Sequence, residues 1–146
     1  MNRIFQAGAL VLAMGLGQFA MAAPKADLTI SISGMRNAKG SVLVAVFKDG
    51  VGFPSDNDKA HDNLKLTPGQ AQKFVLEDLP PGDYAIALLH DENNNGRMDK
   101  KAVFLPKEGF GFSNDAMGTM GPPSYKKAKF TVTAPKTSIR LKMKYM

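Results

Sequence analysis

The sequence predicts an all-β chain, a single antiparallel β-sandwich of immunoglobulin-like or transthyretin-like type with about seven strands. Apolar residues alternate with polar ones at period two in several separate runs. Turn signals rich in Gly, Pro, Asn and Asp divide these runs, and no long helical pattern lies between them. The corner Leu79-Pro80-Pro81-Gly82-Asp83-Tyr84 places a tyrosine just after a tight Pro-Gly turn. In sandwiches a tyrosine there bonds its hydroxyl back to the corner backbone.

Taken in order, Leu28, Ile30 and Ile32 alternate with Thr29, Ser31 and Ser33, the pattern of a half-buried strand. Gly40 opens the run Ser41 to Phe47, where Val42, Val44 and Val46 share one face and Leu43, Ala45 and Phe47 the other. Apolar residues on both faces predict a central strand. Phe74 and Leu76 mark a third strand, and Tyr84, Ile86 and Leu88 a fourth with Ala85, Ala87 and Leu89 on its reverse. Phe130 and Val132 mark another, and Ile139, Leu141, Met143 and Tyr145 the last. Ser55 to Asn63 is expected to form one short turn of helix capped by Ser55. Pro106 to Tyr125 reads as a long irregular stretch, and loops of that length in compact domains are often functional.

The chain opens with Arg3, an apolar run from Ala7 to Ala20 and the small-x-small site Ala20-Met21-Ala22. This predicts a cleavable export leader over 1–22 and one domain over 23–146, located in the periplasm or secreted. The run is too short for a confident membrane span, which needs about 20 apolar residues. The chain holds no cysteine, so disulfides, thiolate metal sites and lipid attachment through cysteine are excluded. The formal charge of +6 favours anionic surfaces and does not point to nucleic acid.

Chemistry concentrates in His90-Asp91-Glu92-Asn93-Asn94-Asn95-Gly96-Arg97-Met98-Asp99. Oxygens at alternate positions, followed directly by a glycine, open a calcium-type loop in which they converge on one hard cation. Asp91, Asn93, Asn95 and Asp99 would give side-chain oxygens and Arg97 its backbone carbonyl. Ala102 stands where a bidentate glutamate belongs, so a further carboxylate must come from elsewhere, with Glu108 and Asp115 nearest. Ca2+ is the cofactor expected, if any. The competing reading is an Asx-rich connection that bonds its own backbone and needs no ion.

Three of these motifs, with Glu108-Gly109-Phe110-Gly111-Phe112-Ser113-Asn114, carry a family likeness. The run Gly40 to Phe47, the corner Leu79 to Ala87, the acidic loop and this Gly-Phe segment together resemble the bacterial exported proteins grouped as domain of unknown function 2141. The resemblance spans about Asp27 to Tyr145. It implies a small exported β-sandwich and no particular activity.

Other segments carry weaker expectations. Phe110, Phe112 and Asn114 form a candidate recognition loop, unless the phenylalanines fold inward and cap the sandwich. His90, expected at a strand end on the surface or rim, could act as a general base, but no nucleophile elbow or zinc-spaced histidine pair accompanies it. Met98, Met117 and Met120 with His90 could offer a copper(I) site, although no tight methionine spacing supports one. Lys127, Lys129, Arg140, Lys142 and Lys144 would share one basic face if the last two strands pair as a hairpin, and could then touch anionic lipid. The leading expectation is a non-enzymatic exported binding or accessory module, with an envelope protein or ligand as partner and a calcium-type ion in the loop. The alternatives are an ion-free envelope protein using the basic face and, last, a small enzyme centred on His90.

Overall fold

The structure is a computed structural model that describes residues 17, 21–102 and 105–146. The apolar run behind the leader expectation lies outside the described residues, Gly17 apart. Among the described residues no helix is long and apolar enough to cross a membrane.

Two sheets pack face to face. The smaller holds β1 (Ala26–Ser33), β4 (Lys73–Leu79) and β8 (Lys136–Lys142) in the order β4-β1-β8. The larger holds β2 (Ser41–Lys48), β3 (Asp62–Leu66), β5 (Gly82–Asp91) and β6 (Gly109–Phe112) in the order β3-β2-β5-β6, with β7 (Phe130–Val132) also on β5. Leu28, Ile30 and Leu141 face Val42, Val44, Ile86 and Val132 across the core, all at most 2% exposed. This is the period-two alternation of the sequence turned into a dry interface.

The corner forms as expected: Tyr84 is fully buried and its hydroxyl donates to the Pro80 carbonyl at 2.6 Å. The central position of β2 also holds, between β3 and β5, and its outward-facing Phe47 and Ala45 are buried as well.

Several local expectations are corrected. The last two strands do not form a hairpin. β7 pairs antiparallel with β5, whereas β8 runs parallel to β1, with Asp27 opposite Lys136 and Ser33 opposite Lys142. Lys127 sits on a short helical turn, α2 (Tyr125–Ala128), beside the larger sheet, so the five basic residues do not share a face. The helical turn near Ser55 shrinks to Asn57–Lys59, preceded by Asp56, and no side chain caps it. A better start signal lies at Thr67, whose side chain and Gln70 form a reciprocal capping box on α1 (Pro68–Ala71). β3 and β6 are strands where the sequence reading saw none.

Candidate functional site

β5 ends at Asp91, and the acidic connector springs from it. Asp91 is fully buried. Its carboxylate oxygens accept the backbone N–H groups of Asn95 (3.1 Å) and Gly96 (2.8 Å), so the loop curls over the side chain that begins it. Gly96 has φ +76, a left-handed conformation that glycine adopts without strain. Further Asx bonds follow: Asn93 Oδ1 accepts from Asn95 N and Asn95 Oδ1 from Arg97 N, at 3.3 and 3.1 Å. Arg97 itself is exposed at the loop tip.

Asn93, Asn95 and Asp99 meet side by side. Asn93 Nδ2 donates to Asp99 Oδ2 at 2.6 Å, and Asn95 Nδ2 reaches both Asp99 oxygens at 2.9 and 3.0 Å. These bonds, Asn93 first, hold the Asp99 carboxyl below the usual carboxylate range. Glu108 closes the loop from below. It is 3% exposed, and its two oxygens accept the N–H groups of Glu92 (3.1 Å) and Asp99 (3.2 Å). Asp115 does not join them, for its carboxylate accepts the N–H of Lys142 on β8. Ser41 on β2 ties the far side down through its hydroxyl to Asn94 Oδ1 at 2.6 Å.

A polar cleft of about 220 Å³ adjoins the loop, lined by Arg36, Lys39, Glu92, Asn93, Asp99, Lys107 and Glu108. Arg36 organises it. Its Nε donates to Glu92 Oε1 at 2.6 Å, its Nη2 to the Lys107 carbonyl at 3.3 Å, and its guanidinium lies 4.5 Å from the centre of the Tyr145 ring. The bond from Arg36 is the main reason the Glu92 carboxyl sits below its ordinary range. A depressed carboxyl stabilises the fold at pH above its unfolded value, and that contribution fades as pH falls through the lower folded value. Arg36→Met is therefore expected to lower the melting temperature near neutrality, with the gap from wild type narrowing below about pH 4. Parallel melting curves across that range would detach Arg36 from Glu92.

His90 corrects the surface expectation. It is fully buried on the core side of β5. Its Nε2 lies 2.8 Å from the Lys39 carbonyl, which can only accept, so Nε2 carries the proton. Nδ1 then accepts from the Tyr145 hydroxyl at 2.6 Å, while that oxygen accepts the Arg36 N–H at 3.1 Å. Both ring nitrogens are thus engaged, and neither is presented to a substrate or to Met98, Met117 and Met120, which line the opposite, outer side of the sheet.

The Gly-Phe segment divides as well. Phe110 and Phe112 stand on the outer face of β6, opposite Leu89 and Ala87 of β5. Asn114, at φ +59, is a staple whose Nδ2 donates to the carbonyls of Lys127 (3.2 Å) and Lys129 (2.7 Å). Sequence reasoning missed Arg36, Lys39, Ser41 and Tyr145 as parts of this neighbourhood. Arg36 bonds Glu92 across 56 positions, and no local spacing marks such a partner.

This two-sheet sandwich with an Asx-closed connector matches a known family over residues 30–140, the one described as "Uncharacterized protein conserved in bacteria (DUF2141)". The chain belongs to that family. No curated protein matches. Among solved structures it is similar to a pilus-presented adhesin, Cpa, at 13% identity and a TM-score of 0.34, over 83% of this chain. The chain spans 27% of the adhesin's length.

Proposed function

We propose that the protein is an exported, periplasmic binding module whose Asp91–Asp99 loop is stiffened by a calcium-type cation. The observation that carries this reading is the burial of Asp91 and Glu108, at 0% and 3% exposure, against one loop with no Lys, Arg or His within ion-pair range of either among the described residues. Backbone N–H groups offset part of the cost of burying such charges. A cation supplies the remaining compensation. Asp91, Asn93, Asn95, Asp99 and the Arg97 carbonyl, with Glu108, are the groups that would hold it, a set of hard oxygens suited to calcium. The amides of Asn93 and Asn95 would have to turn their oxygens toward Asp99, where their nitrogens now point. Among the described residues no three His, Asp or Glu side chains cluster closely enough to hold an ion by themselves, so the amide oxygens are essential to the set. The leader pattern over 1–22 supports export, and extracellular modules work with affinities of roughly 10⁻⁴–10⁻³ M.

The test is a thermal melt in chelator and in calcium. At about ten times the dissociation constant, mass action gives about 1.4 kcal/mol, or roughly 4–8 °C for a domain of this size. Asp99→Asn is expected to lose the calcium increment, with a small drop already in chelator because one of the two oxygens that accept from Asn93 and Asn95 becomes an NH₂. Identical wild-type melts with and without calcium reduce the connector to a self-bonded turn.

A further inference from the structure

The outer face of the larger sheet is apolar and only half covered. At one end Phe47 is sealed by Phe53, which also meets Phe112 and Tyr125 edge to face at 6.0 and 6.1 Å. At the other end Leu43, Ala87 and Leu89, half-buried, floor a groove of about 1020 Å³. Phe110 and Phe112 form one bank, and Met98, Met117 and Met120 overhang it. Met120 is 93% exposed. Thioethers are unbranched and adapt to the shape of what they touch, so this wall suits a flexible apolar guest.

The charged side chains around the groove have one sign. Lys65, Arg97 and Lys100 line it, and no Asp or Glu does among the described residues. None of the three cations forms an ion pair among the described residues. We propose that this groove is a binding site for a single-chain anionic amphiphile, a long-chain fatty acid, with the alkyl chain along the sheet floor and the carboxylate among Arg97, Lys100 and Lys65. The volume is of the order that encloses small ligands. A second copy of the chain is a poorer occupant, because a two-fold contact on this face would set the same three cations against one another. The site is separate from the ion loop's interior, since its floor is strand.

The experiment uses protein expressed from the full sequence and the fluorescent fatty acid cis-parinaric acid, kept below its micellar concentration, in calcium and in chelator. Saturable binding of one probe per chain is expected under both conditions, so failure of the ion reading leaves this one standing. Hexadecanoic acid should displace the probe and hexadecanol should do so about tenfold less well, the scale of a charge-assisted contact. Lys65→Glu with Lys100→Glu, both exposed and outside the set of groups proposed for the ion, should remove most of that preference while the melting temperature holds. Ala87→Phe, which fills the floor, should abolish binding. No saturable binding overturns the proposal, as does equal displacement by acid and alcohol. A probe-free dimer that Ala87→Phe converts to monomer also overturns it and assigns the groove to a second copy.

Discussion

Replacing Asp91 with asparagine is expected to destabilise the domain by about 2–3 kcal/mol in chelator, although the two side chains have the same shape. Asp91 is fully buried and both its oxygens accept backbone N–H groups, from Asn95 and Gly96. An amide offers one acceptor and turns an NH₂ toward the other donor, leaving two donors face to face at a buried side chain. A bond to a charged acceptor contributes about 1.5–3 kcal/mol, and an orphaned donor costs a similar amount. Relief of the buried charge returns part of this, which keeps the net figure below the sum. Urea unfolding in chelator measures it, with Asp99→Asn as the matched control. If both variants unfold at the wild-type midpoint, Asp91 does not hold the loop together.

Gly40→Ala is expected to cost about 3 kcal/mol or more, through two separate effects. Gly40 has φ +63, and a residue with a Cβ is strained there by about 1–2 kcal/mol. A Cβ would also run into the backbone carbonyl of Asp91 and the backbone of Glu92. Neither can rotate away as a side-chain tip could, because Asp91 is paired with Ser41 in the sheet and the Glu92 N–H is held by Glu108. The strain therefore falls on the join between β2, β5 and the acidic connector. The equilibrium urea midpoint should drop, and amide exchange should quicken first at Asn94 to Gly96. A loss under about 1 kcal/mol would show that this junction yields readily.

Much of the scaffold was legible because it is local. The Tyr84 corner needs only the six residues from Leu79 to form, and its hydrogen bond joins positions four apart. β2 declared its central place by carrying apolar residues on both faces. What escaped has physical causes. β3 is an edge strand in which Asp62, Asn63 and Lys65 are exposed and Leu64 and Leu66 only half-buried, so solvent masks its alternation. β6 reads Gly-Phe-Gly-Phe, with glycines where strand formers belong. Gly109 gives its space to the Tyr145 ring and Gly111 lies against the Lys142 backbone, so packing overrides propensity there. The hairpin expectation for the basic strands failed because sequence neighbours are the natural pairing guess, whereas β8 pairs with the far end of the chain. At the site, the oxygen pattern picked out Asp91, Asn93, Asn95 and Asp99, whereas of the two carboxylates nearest in sequence, Glu108 and Asp115, only Glu108 reaches the loop. The burial of His90 was not legible, since it depends on Tyr145 and the Lys39 carbonyl, both remote in sequence.

The parallel partnership of β1 and β8 also governs the order of assembly. These strands are separated by roughly 110 residues, and closing so long a loop is slow. The larger sheet can zip through connections of about 13 residues from β2 to β3 and about 17 from β5 to β6, far shorter than the loop that joins β1 to β8. β1, in contrast, has only β4 as a strand partner until β8 arrives. During that interval Leu28 and Ile30 lie under an incomplete roof, and one rim of β1 offers unmet backbone groups to any other strand nearby. A chain that emerges N-terminus first thus keeps the free rim of β1 waiting until β8 has followed.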